Sequence, residues 1–149
     1  RQSLSRTTMT NPMQAISAEL NLDPNIFQNP TCFIAAVRTG IPGSVVRLAV
    51  NYFECPELIA KTLGTDLNGL EKDCAARVLN TQKSEALLDG FRTLSAVRMA
   101  WSSCELADRW LMSEVPALGG EKPLDLFDCF EGRRWVTEVA KKIERGDFS

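Results

Sequence analysis

The chain has 149 residues, enough for one domain of ordinary size with a real hydrophobic core. It carries 17 basic and 19 acidic side chains, and the resulting net charge of −2 gives no overall attraction to nucleic acid or to an anionic membrane. Histidine is absent, which removes Ser-His and Cys-His nucleophile pairs, imidazole metal ligands and the commonest general acid and base at neutral pH.

Residues 1–39 read as an N-terminal extension, polar and punctuated by Pro12, Pro24 and Pro30, with a short apolar stretch over residues 13–22 that suits one helix. After Gly40 the pattern becomes helical and no alternating run is long enough for a sheet, so the fold class expected is all-α. Ser44 is the expected N-cap of a helix whose apolar stripe is Val45, Leu48, Ala49 and Tyr52. A second helix is predicted from Pro56 to Leu63, stopping at Gly64, a residue suited to a left-handed C-cap. Thr65-Asp66 then caps a third helix, predicted over residues 66–78 and carrying Leu67, Leu70 and Cys74. Two short helices joined at a glycine turn are the sequence pattern of a helix-turn-helix.

Asn80-Thr81 opens the longest helix, with Leu87, Leu88, Phe91, Leu94 and Val97 at three- and four-residue steps toward Trp101. This is the expected central strut, and its broad apolar stripe is also the expected homodimer surface. A shorter helix over residues 105–113 presents Leu106, Ala107, Trp110 and Leu111 and ends ahead of Pro116. Asp128 and Glu131 stand in the relation of a capping box, and the helix they open turns Val136, Val139, Ala140 and Ile143 inward. Lys141, Lys142 and Arg145 suit the negative end of its dipole, and Gly146 stands where a C′ glycine belongs.

The five cysteines, Cys32, Cys55, Cys74, Cys104 and Cys129, are odd in number and form no C-x-x-C pair. They read as reduced thiols in a cytoplasmic protein. No run of about 18 apolar residues is present to span a bilayer, and residues 1–10 lack the apolar centre of a signal peptide. There is no Walker loop or G-x-G-x-x-G, and Gly119-Gly120 reads as a turn. No catalytic residue, metal or cofactor is expected.

The last third carries the most specific pattern. Trp110-Leu111 is followed by Val115-Pro116-Ala117-Leu118-Gly119-Gly120-Glu121-Lys122-Pro123-Leu124-Asp125-Leu126, then by Gly132-Arg133-Arg134 and by Ile143-Glu144-Arg145-Gly146. In order and spacing this resembles the toxin-binding domain shared by antitoxins of the Xre, MbcA and ParS type. Residues 40–101 are similar, mostly in pattern, to the Xre-like helix-turn-helix part of the same antitoxins, and the resemblance implies that residues 102–149 form the toxin-binding domain. The resemblance implies an antitoxin of a type II toxin-antitoxin system. Its partner is a RES-domain toxin that degrades NAD or transfers its ADP-ribose.

The family resemblance further implies that the C-terminal end covers the toxin's NAD cleft, which assigns Arg145, Gly146, Asp147, Phe148 and Ser149 to the toxin surface. The loop residues Leu118, Gly119, Gly120 and Leu124 are assigned with them, although the glycines first shape the turn and the leucines first fasten it. Autoregulation through operator DNA is implied as well, with Asn68, Lys72 and Arg77 as the candidate contacts. Charge argues against it. Residues 40–80 hold four basic side chains against five acidic ones, whereas phosphate neutralisation dominates DNA affinity. The competing reading is a helix-turn-helix transcription regulator whose C-terminal domain binds a different protein.

Overall fold

The computed structural model describes residues 11–146. Within them the chain forms eight α-helices and no strand: α1 (Pro12–Glu19), α2 (Pro30–Thr39), α3 (Gly43–Phe53), α4 (Pro56–Leu63), α5 (Leu67–Ala75), α6 (Thr81–Ala100), α7 (Cys104–Leu111) and α8 (Phe130–Glu144). Short 3-10 turns lie at Pro24–Phe27, Pro116–Leu118 and Pro123–Leu126. The all-α expectation holds. Among the described residues no single helix is long and apolar enough to cross a membrane.

The prolines near the start open helical turns instead of interrupting them. Asn11, Asp23 and Asn29 each precede a proline, and their side chains accept from the N–H of Met13, Asn25 and Thr31 at 2.8, 2.9 and 2.8 Å. An Asx cap followed by proline at the first helical position satisfies one orphan donor and removes another. Residues 12–39 contribute to the core through a few side chains: Ile16 and Leu20 have no exposed surface, and Phe33 and Val37 have little.

α6 is the strut around which the other helices assemble, and α1, α2, α4, α7 and α8 all pack on it. Asn80 caps it as expected, accepting from Lys83 N at 2.8 Å. Gly90 lets α4 approach, because a Cβ there would lie 2.6 Å from the Thr62 methyl carbon. The broad stripe has a different use from the one expected. Leu87, Leu88, Phe91 and Leu94 are at most 2% exposed within the single chain, so this stripe is not a dimer surface.

The start of α3 and the segment after α5 are joined through backbone contacts. Gly43 N donates to Ala76 O at 3.1 Å and Leu79 N to Ile41 O at 2.8 Å, while Ser84 Oγ accepts from Ile41 N at 2.9 Å. A side chain at position 43 would collide with the carbonyl oxygens of residues 73, 74 and 76, so α3 starts at a glycine, capped by Pro42 and not by Ser44. The buried stripe of α3 is Val45, Val46, Ala49 and Phe53; Leu48 and Tyr52 are only half-buried.

Candidate partner-binding surfaces

The C-terminal surface is organised by α8. Its N-cap is Cys129 and no side chain caps it, so the Asp128–Glu131 capping box does not form. Glu131 instead accepts from Arg134, which also reaches Glu138 at 2.7 Å. The hydrogen bond from Arg134 lowers the Glu131 pKa below its usual 4.5, and the same contact raises that of Arg134.

Inside, Gly132 lies against the Leu126 carbonyl, too close for any side chain. Arg133 is buried and donates from Nε to Asp89 on α6 and from Nη1 to the Phe127 carbonyl. These contacts fix how α8 is rotated, with Val136, Val139 and Ala140 inward and Arg134, Trp135 and Glu138 outward.

The proline-glycine block forms the adjoining loop. Val115 N donates to Glu121 O at 3.1 Å and Gly120 N to Val115 O at 3.0 Å, closing a tight turn in which Gly119 and Gly120 have φ of 68° and 83°. Both glycines are exposed, and the Trp135 ring lies alongside: Cη2 is 3.6 Å from where a Gly119 Cβ would be. Leu118 is fully buried and Leu124 is 7% exposed. Their assignment to the toxin surface is therefore corrected: both point into the core and hold the loop in place.

Arg145 and Gly146 are exposed at the far end of α8, and Gly146 has the expected positive φ of 77°. At 1.5 Å and about 100° per residue, Arg145 is about 15 Å along the axis from Trp135 and about 80° around it, so these positions and the glycine turn are two separate regions of the α8 surface. Asp147, Phe148 and Ser149 lie outside the described residues. Sequence reading missed the exposed apolar side chains of this third, Leu106, Met112, Phe130 and Trp135, which make up four of the eight exposed large hydrophobic residues among those described. Phe130 is the most open, at 61% exposure.

The segment expected as a helix-turn-helix consists of α4, a left-handed Gly64 with φ 70° and the Asp66 cap, whose carboxylate accepts from Gly69 N at 2.8 Å. Asn68, Lys72 and Arg77 are all exposed. Asn68 and Lys72 share a face of α5 at i,i+4 spacing. Arg77 does not, because α5 ends at Ala75 and not near Val78, leaving Arg77 in the bend that follows.

Charge on this face differs from the sequence count. Asp73 turns toward α6 and binds Lys83 Nζ at 2.9 Å. Glu71 pairs with Arg47 of α3 at 3.0 Å, a contact that raises the Arg47 pKa. A groove of about 410 Å³ between α4, the turn and Asp128 is lined by Glu57, Asp66 and Asp128 against Lys61. Three carboxylates to one ammonium make it a poor seat for phosphate.

No family model matches the chain. It is similar to the Prs ADP-ribosylating antitoxin of Sphingobium sp. (strain YBL2), with 31% identity over 80 residues. The match takes in 54% of this chain and spans only half the length of that relative. This relation to an antitoxin agrees with the resemblance drawn from Trp110-Leu111, the proline-glycine block and Gly132-Arg133-Arg134.

Proposed function

From its relation to a curated antitoxin, we propose that this chain is itself an antitoxin, which holds a RES-domain toxin on the face organised by α8 and blocks the toxin's NAD site with the segment that follows the helix. The chain acts by binding and performs no catalysis. The observation that carries the reading is the exposed Trp135 ring lying across the bare Gly119 turn, on a helix whose rotation is fixed by a buried ion pair. Large aromatic side chains on a rigid support are the usual anchors of protein interfaces.

Division of labour follows from scale. A specific interface buries on the order of 1,600 Å², more than residues 145–149 can supply, so the α8 face and the loop provide most of the affinity while the tail provides the block. The test is to express the chain with the product of its neighbouring gene, expected to be a RES-domain protein, and to look for co-purification. A stoichiometric complex that is lost in the Phe130→Ala, Trp135→Ala double variant supports the reading; no complex with the intact chain overturns it.

Autoregulatory DNA binding is the second part of the proposal, favoured by one observation: the outward face of α5 carries Asn68 and Lys72 while Asp73 is turned inward and neutralised. Pairing of two copies would double these few contacts. Outside the C-terminal third, the apolar side chains open to such pairing are Ile34, Leu67, Val78 and Met99, not the buried stripe of α6.

A further inference from the structure

The Arg47–Glu71 pair crosses from α3 to the middle of the outward face of α5. Arg47 Nη2 and Nη1 meet Glu71 Oε1 and Oε2 at 3.0 and 3.5 Å, a two-pronged contact. Both side chains are open to water, at 49% and 67% exposure. A pair of this kind adds little to folding and is screened by salt.

The other carboxylates of residues 66–75 are engaged elsewhere. Asp66 holds the start of the helix through Gly69 N, and Asp73 holds Lys83. Glu71 is therefore the acid that stands between Arg47 and the Asn68–Lys72 row. A phosphodiester offers the same two-oxygen geometry to a guanidinium that Glu71 offers now.

We propose that Glu71 masks Arg47 as an autoinhibitory contact, and that duplex DNA is bound by displacing the carboxylate so that Arg47 joins Asn68 and Lys72 on a backbone phosphate. This rests on the DNA-binding reading above. It adds Arg47 as a phosphate contact and Glu71 as the residue that sets affinity. The competition keeps the wild-type chain a weak DNA binder, and removing the acid strengthens it.

The experiment is a binding titration of the full chain against a labelled duplex carrying the region upstream of its own gene, over a series of salt concentrations. Glu71→Gln is expected to bind about threefold to fivefold more tightly near 0.1 M salt with the same slope of log K against log salt, because Arg47 reaches the phosphate in both chains, whereas Arg47→Ala should flatten that slope by about 0.9. Adding Arg47→Ala to Glu71→Gln should remove the gain. Glu85→Gln, which makes the same change of net charge on exposed α6 surface, should leave affinity unchanged. Thermal melts of each variant check that the fold is intact.

The inference is overturned if the wild type binds and Glu71→Gln matches it. It is equally overturned if Glu85→Gln gains as much, or if the gain survives loss of Arg47. Absence of salt-dependent binding by every variant overturns the DNA-binding reading itself, and the inference with it.

Discussion

Arg133 on α8 donates from Nε to Oδ2 of Asp89 on α6 at 2.7 Å, with both side chains largely out of water. Asp89 also lies 3.8 Å from Arg92, whose guanidinium sits 4.0 Å over the Phe33 ring of α2, so one carboxylate links the C-terminal helix to the N-terminal part of the fold. Removing one partner of a buried pair leaves the other charge uncompensated. Arg133→Ala is therefore expected to cost about 3–5 kcal/mol in denaturant unfolding, with the Asp89→Ala, Arg133→Ala double variant costing less than the sum of the singles. Additive costs would mean that the two side chains do not act as a pair.

Leu118 and Trp135 should separate structure from recognition. Leu118 is fully buried, and Leu118→Ala should lose about 2–5 kcal/mol while Leu118→Asp unfolds the loop and the face it supports. Trp135 is 39% exposed, and Trp135→Ala should change stability by about 1 kcal/mol or less yet weaken toxin binding at least tenfold. Calorimetry and pull-down of the same variants check both halves. A Trp135→Ala chain that binds as the intact one does would remove the indole from the interface.

Two carboxyls should titrate in opposite directions. Arg134 holds Glu131 below 4.5, so the stability it contributes is present above 4.5 and lost as pH falls through the lowered value. Burial raises Asp108 above 3.8, partly offset by Arg98 at 3.7 Å; its contribution is complete below 3.8 and lost as pH rises through the raised value. Side-chain NMR titration should show Glu131 midway below 4.5 and returning toward it in Arg134→Ala, with Asp108 midway above 3.8.

Much of the fold was legible because its signals are local. Gly64 as a left-handed stop, Asp66 and Asn80 as caps and Gly146 as the C′ residue each depend on a few neighbouring atoms. The sequence does not disclose α2, because Pro30 reads as punctuation, whereas an Asx residue before proline also opens a helix. The ends that went wrong, Asp128 for Cys129 and Val78 for Ala75, were decided by tertiary contacts: Gly132 against Leu126, and Ala76 against Gly43.

The site was legible only in part. The proline-glycine block names the loop, but which of its residues face outward depends on α8, and Trp135 comes beside Gly119 from sixteen positions away. Similarly, the count of acids over residues 40–80 overstates the negative face of α5, because the rotation of that helix sends Asp73 to Lys83. Periodicity also revealed the stripe of α6 without revealing that this chain fills it.

The central claim is tested most directly by looking for a RES-domain protein encoded beside this gene and titrating its NAD turnover with the intact chain and with one ending at Gly146. The intact chain is expected to bring turnover to zero at stoichiometric concentration, whereas the chain lacking Asp147, Phe148 and Ser149 co-purifies with the toxin and leaves turnover largely in place. Full neutralisation by the shortened chain, with binding verified, would contradict occlusion of the NAD site by the tail; unchanged turnover in a complex with the intact chain would contradict the antitoxin reading itself.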